Sequence, residues 1–361
     1  FFDRERTIAT PGFSRWRIPP AALAIHLSIG QAYAFSVFNV PLSLTGDDHW
    51  KLSTIGWVFS TAIVFLGLPG ALFGRWVERV GPRKAMFASA ACFSSGFVIS
   101  AAAVAIHSFP LLLLGYGVVG GIGLGLGYIS PVSTLIKWFP DRPGMATGMA
   151  IMGFGGGAMI GAPLATKLMA RFADAAPLGV WPTFLVMGAL YFVVMMFGVI
   201  NVRVPAPDWA PEDNRVTRSA SRVPVGVTAT DAIKTRPFWL LWVMLLVNVT
   251  AGIGVLGQAS PMIQEMFPGR VDIPKAALFV VFLSACNMVG RFVWSSTSDY
   301  IGRFATYAIF FALGATLYSL VPTAGHMASI PLFVAGYAVI MSMYGGGFAT
   351  IPAYLRDQFG T

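Results

Sequence analysis

The chain has 361 residues, 56% of them hydrophobic and only 11% charged, which is too little polar surface to cover a water-soluble globule of this size. A net charge of +9 would point a soluble protein towards nucleic acid. Here, however, the basic residues fall in short loops between apolar runs, so the chain reads as an all-α membrane protein with the lipid bilayer, and no nucleic acid, as its surroundings.

Runs long enough to cross a bilayer as helices cover residues 18–42, 54–75, 84–106, 109–136, 143–168, 180–202, 237–264, 276–298, 303–323 and 330–352, which makes ten spans. Glycines inside them, as in Gly120–Gly127 and Gly153–Gly157, would weaken a helix in water but permit close helix contact in lipid, so ordinary helical packing is expected there. The first of these runs has spaced glycines but neither a preceding strand nor a following acidic ribose contact, which argues against dinucleotide binding. Cys92 and Cys286 lie within apolar runs and imply neither a disulfide framework nor a redox site. The chain opens on Phe1 rather than Met and shows no cleavable signal peptide; its true N-terminus is expected to be missing.

With the N-terminus inside, eighteen Lys and Arg residues fall on the cytoplasmic side and five on the other, with Arg291 left in the membrane; together these are all 24. That asymmetry sets the expected topology, N-terminus cytoplasmic. Residues 204–236 are polar, carry Pro205, Pro207, Pro211 and Pro224, and read as a cytoplasmic linker between a six-span bundle over 1–203 and a second bundle over 237–361. The halves echo each other. Gly74-Arg-Trp-Val-Glu-Arg-Val-Gly-Pro-Arg-Lys84 follows span two, and Ser298-Asp-Tyr-Ile-Gly-Arg303 follows span eight.

An acidic residue, a tight glycine turn and a base, repeated at matched positions, resemble the cytoplasmic loop signature of the major facilitator superfamily. On that reading Glu78, Gly81, Arg83, Asp299, Gly302 and Arg303 form paired gate loops. The glycines permit sharp turns, and the carboxylates pair with bases or helix ends in one conformation and release them in another. The alternative is a pair of solvated loops that only set topology.

A closer resemblance is to the oxalate/formate antiporter family. It rests on Tyr33-Ala-Phe-Ser-Val-Phe38 with Pro41, Tyr128-Ile-Ser-Pro131, Lys137-Trp-Phe-Pro-Asp-Arg-Pro-Gly-Met-Ala-Thr-Gly148 and Gly153-Phe-Gly-Gly-Gly157. It continues through Asn248-Val-Thr-Ala-Gly-Ile-Gly254, Gln258-Ala-Ser-Pro261, Gly290-Arg291 and Tyr344-Gly-Gly-Gly-Phe-Ala-Thr-Ile-Pro352. The resemblance implies two pseudo-symmetric six-helix bundles, with ten of twelve spans present and the last two expected beyond Thr361. It also implies exchange of small carboxylates across the cytoplasmic (inner) membrane by alternating access, with no cofactor and the carrier acting as a monomer. Carried over residue by residue, Arg291 holds the anion, Tyr33, Tyr128, Tyr344 and Phe348 wall its cavity, and Phe154 stands where a tyrosine hydroxyl would be, which weakens the case for strict oxalate specificity. Other monocarboxylates such as lactate or pyruvate remain an alternative cargo, and a non-transporting membrane sensor of the same fold an alternative role.

The residues support the same emphasis. Arg291 stands in an apolar run that begins near Lys275 and lies eight residues, roughly 12 Å of helix, before Asp299, so it falls about midway through the hydrocarbon. A charge there costs at least about 3 kcal/mol and usually faces a bundle interior or wet cavity on an ion or substrate pathway. Otherwise it snorkels or bonds loose carbonyls, although eight residues is a long way to snorkel. No carboxylate lies in the middle of a span, which favours anion exchange over proton coupling. His26 is the one buried titratable alternative and reads as a packed core residue. Ser130, Ser133, Thr134, Asn248, Thr250, Gln258 and Asn287 are as suited to bonding across helices as to touching substrate. No metal or nucleophile constellation is present, so the chain reads as a carrier and not an enzyme.

Overall fold

The computed structural model describes residues 2, 4–46, 49–174, 177–206, 209–210, 226–271 and 273–360. Among them, ten helical stretches are long and apolar enough to cross a membrane: Arg15–Ser43, Leu52–Val80, Pro82–Ala105, Phe109–Trp138, Pro143–Phe172, Val180–Asn201, Arg236–Leu256, Leu278–Ile301, Arg303–Gly325 and Ile330–Phe359. They are called spans one to ten below. Most of the linker, including Pro207, Pro211, Pro224 and the basic Arg215, Arg218 and Arg222, lies outside the described residues, as do the side chains of Gln258 and Pro261.

Several spans run further than their apolar stretches predict. Span two continues to Val80, span eight to Ile301 and span ten to Phe359. A hydropathy boundary marks where the hydrocarbon ends, whereas Glu, Arg and Lys are good helix formers in the polar zone beyond it. The reading of Glu78 and Asp299 as loop residues is therefore corrected: both stand on the last turn of a helix, and the whole connection to the next helix is one residue, Gly81 or Gly302. Their backbones, with φ 83° and ψ 165° at Gly81 and φ 89° and ψ 153° at Gly302, occupy a region open essentially to glycine alone.

Two spans are not uniform α-helix. Span one tightens to a 3-10 helix over Gly30–Phe38, and span four widens to a π-helix over Leu113–Gly120. The second departure occurs where span four presses on span three: a side chain at Gly96 would come within 2.8 Å of the Gly115 carbonyl and the Gly120 backbone. Contact here is backbone against backbone, as glycine-rich crossings in lipid allow.

Two compact units are present, one comprising Phe1–Trp138 and Gly157–Asp208, the other Phe139–Gly156 and Trp209–Thr361. The first half of span five thus packs with the C-terminal spans. In the first unit, span three packs on span six and span two on span four around an aromatic core in which Phe38 meets Phe184 at 4.6 Å and Phe35 meets Tyr116 at 4.5 Å. The second unit repeats the two-on-four pairing as span eight on span ten, with Phe267, Phe279, Phe333 and Tyr307 in its core. Span seven turns Trp239, Leu240, Trp242 and Val243 outward, a face suited to hydrocarbon and not to water.

Candidate functional site

Arg291 lies on span eight with none of its surface exposed. One helical turn earlier, Asn287 accepts a hydrogen bond from Arg291 Nε at 3.0 Å through its side-chain oxygen Oδ1. The guanidinium carbon stands 5.5 Å from the ring centre of Phe154, on span five, and 5.3 Å from that of Phe348, on span ten. A desolvated cation over an aromatic face gains about 2 kcal/mol, so the two rings offset part of the burial cost. No acidic side chain among the described residues pairs with Arg291, and Nη1 and Nη2 have no hydrogen-bond partner. Nor does the Asn287 Nδ2 amide. The result is a cationic fork, gripped at Nε and flanked by rings, with its outer N–H groups unspent. That suits the paired oxygens of a carboxylate.

Two glycines shape this site. A side chain at Gly345 of span ten would come within 2.5 Å of Asn287 Oδ1 and 3.0 Å of Arg291 Cγ, and one at Gly155 of span five within 3.0 Å of Arg291 Nε. Gly155 lies in the run Gly153–Gly157 that the sequence marks for helix contact, and Gly345 in the Tyr344–Pro352 stretch that carries the family resemblance. Their part in seating Arg291 emerges only from the packing. Asn287 carried a signal in its four-residue spacing from Arg291 on one helix face.

Tyr344 is buried, meets Phe348 edge-on at 5.5 Å, and packs against Gly252 of span seven. Its other neighbours include Asn248, Phe310 and Tyr318, with which it lines a groove between spans seven, nine and ten. Tyr33 and Tyr128 belong to the other compact unit. Tyr33 is half-buried on the 3-10 stretch, and Tyr128 meets His26 edge-on at 5.6 Å. His26 is fully buried, with Nδ1 3.2 Å from the Ala22 carbonyl. The structure therefore gathers Arg291, Phe154 and Phe348 at one place, with Tyr344 adjoining.

A second cluster lies at the end of span eight. The Asp299 carboxylate accepts the backbone N–H of Gly144 at 2.8 Å and of Met145 at 2.9 Å, the otherwise unpaired donors of the first turn of span five. Arg303 donates through Nη2 to Asp299 Oδ1 at 2.6 Å, through Nε to Asp357 at 3.0 Å, and through Nη1 to the Ser298 hydroxyl. Arg356 donates to the Pro140 carbonyl at 3.2 Å. Anion, helix N-terminus and guanidinium thus attract in series. Glu78, the matching acid, is exposed and makes no ion pair among the described residues. Arg83 is buried and donates to the Val202 carbonyl at the end of span six, at 3.3 Å.

The chain is 27% identical over 353 residues to the uncharacterized MFS-type transporter YhjX of Escherichia coli (strain K12), covering 96% of this chain and 81% of that one. It is 25% identical over 344 residues to the oxalate:formate antiporter of Oxalobacter formigenes, covering 94% and 76%. Identity to the apicoplast pyruvate carrier 1 of Toxoplasma gondii is 24% over 360 residues, covering 86% and 65%. Among solved structures, a bacterial homologue of the iron transporter ferroportin in an outward-facing state shares the fold, with a TM-score of 0.64 at 17% identity over 95% of this chain and 84% of that one. The family model for the Major Facilitator Superfamily matches residues 21–361. With ten helices long and apolar enough to cross a membrane among its described residues and a repeated acidic-glycine-basic turn, the chain belongs to the Major Facilitator Superfamily and is a multi-pass membrane transporter.

Proposed function

We propose that this transporter carries small carboxylates by alternating access, as an anion exchanger in the cytoplasmic membrane with its N-terminus inside. The observation that carries the reading is Arg291: fully buried, paired with no acid among the described residues, and presenting two guanidinium nitrogens without partners. A cation at that depth needs an anion at least part of the time. The relatives named for oxalate and formate or for pyruvate agree with that chemical class. Tyr33, Tyr128, Tyr344 and Phe348 keep the wall role suggested by the resemblance. The Asp299–Arg303 cluster is the gate, holding span five in one state and releasing it in the other. Phe154 favours a second reading of the cargo: its ring packs on the guanidinium where a hydroxyl would have offered another hydrogen bond, which suits a monocarboxylate with an apolar tail such as lactate or pyruvate.

The test is binding and counterflow of labelled oxalate, formate and lactate in proteoliposomes, normalised to folded protein. Arg291→Gln should weaken binding about 100-fold or more, because it removes a charged, two-pronged contact. Arg291→Lys should lose about tenfold, since a point charge does not reproduce the fork. Normal affinity in the Gln variant would leave Arg291 a packing role only.

A further inference from the structure

Donor and acceptor chemistry determines how the Asn287 amide is oriented. Arg291 Nε–H can only donate, so the atom facing it at 3.0 Å is the amide oxygen; the reverse orientation would set two donors against each other. The NH2 group is thereby turned to the other side, buried and without a partner. Gly345 leaves no slack, since a side chain there would overlap both the Asn287 oxygen and the Arg291 stem. With the two guanidinium nitrogens in the same condition, that makes three unpaired donor nitrogens on two adjacent turns of one helix. No acceptor faces them among the described residues. Leaving such donors unpaired is costly, most of all for the charged ones.

We propose that Asn287 is a substrate-binding and specificity-determining residue: its NH2 group joins the two Nη groups of Arg291 to hold the carboxylate of the cargo, while its oxygen aims the fork without neutralising it. The neutrality of the amide matters as much as its donor. An aspartate at this position could grip Nε equally well, but its negative charge would satisfy the guanidinium internally and repel an incoming anion. The carboxamide keeps the full positive charge for the cargo, so the wild-type site takes an anion without taking up a proton. This inference rests on Arg291 being the anion-holding group.

Residues 237–264, 276–298, 304–325 and 330–352 of the spans packed together here contain no His, Asp, Glu or Lys. The ionisable side chains within them, besides Arg291, are the phenols Tyr337 and Tyr344 on span ten and Tyr307 and Tyr318 on span nine, and the thiol Cys286 on span eight itself. Asp141, Glu265, Asp299 and Asp357 lie in end turns or connections, with Arg303 and Arg356 beside the last two.

Asn287→Asp and Asn287→Leu discriminate, assayed with labelled formate and oxalate between pH 6 and 8 and expressed per mole of folded, monodisperse protein. Asn287→Leu should bind about 10- to 100-fold more weakly at every pH, the loss of a hydrogen bond to a charged group. Asn287→Asp should become pH-dependent, because a bound anion then requires a proton on the introduced carboxyl: affinity should rise up to tenfold for each unit of falling pH, where the wild type stays flat. Misfolding cannot mimic an affinity that recovers as the pH is lowered. Wild-type affinity in both variants at pH 8 would overturn the proposal and reduce Asn287 to a helix-packing residue. If Arg291→Gln still loses binding in that case, the reading of Arg291 survives alone; if Arg291→Gln binds normally, that reading fails as well.

Discussion

Between spans two and three the backbone turns at Gly81, and between spans eight and nine at Gly302, with φ and ψ alike to within about 12° at the two sites. Each glycine stands three residues after an acid and leads directly into the next helix. Around that common backbone the side chains do different things. Asp299 caps the first turn of span five and pairs with Arg303, which also reaches Asp357. Glu78 points into the surroundings, and its basic neighbour Arg83 is committed to a carbonyl of span six. A repeated motif thus reproduces the turn, which is local, but not the partners, which come from whichever segment packs alongside. In the C-terminal copy the turn carries the proposed latch, with Asp299 bonded to the start of span five and Arg303 to Asp299 and Asp357; in the N-terminal copy Arg83 is bonded within its own unit, to the end of span six.

The largest expected effect that bears on this contrast is Asp299→Asn. It removes a charge from a helix N-terminus and from a nearly buried ion pair, and should lower stability by about 3 kcal/mol. Thermal unfolding in detergent would register this, and transport should slow while affinity in a locked state stays near wild type, since the latch lies eight residues along span eight from Arg291. A large loss of intrinsic affinity would count against the latch.

The shared backbone predicts similar costs at the two turns. Gly302→Ala and Gly81→Ala should each destabilise by about 1–3 kcal/mol, because the conformation excludes a side chain. Gly302 has open space around it, whereas a side chain at Gly81 would meet the Arg4 side chain at 3.3 Å, so the second variant should be slightly worse. If either were tolerated without a change in melting temperature, the turns would not be equivalent.

Glu78→Gln should be the mildest, within about 0.5 kcal/mol, as for an exposed residue with no partner to lose. A deficit comparable to that of Asp299→Asn would erase the distinction drawn here.

Much of this protein follows from local composition. Ten apolar runs yield ten spans because partition between lipid and water depends on each segment's own side chains. The depth of Arg291 and the repeated glycine turns are legible for the same reason: one is a position within an apolar run, the other a short-range backbone requirement. The ends of spans two, eight and ten were less legible, since charged residues end the hydrocarbon without ending the helix. Beyond that, tertiary packing decided. Asp299 finds its amides 155 and 154 residues away in sequence, and the guanidinium meets rings from spans five and ten, brought together only by the close approach of helices at Gly155 and Gly345. The widened stretch of span four lies against its neighbour, span three, at Gly96. Hydropathy is additive along a chain and can be read from it; hydrogen-bond partners and ring contacts depend on which distant segments share a surface, and that is settled by steric fit in three dimensions.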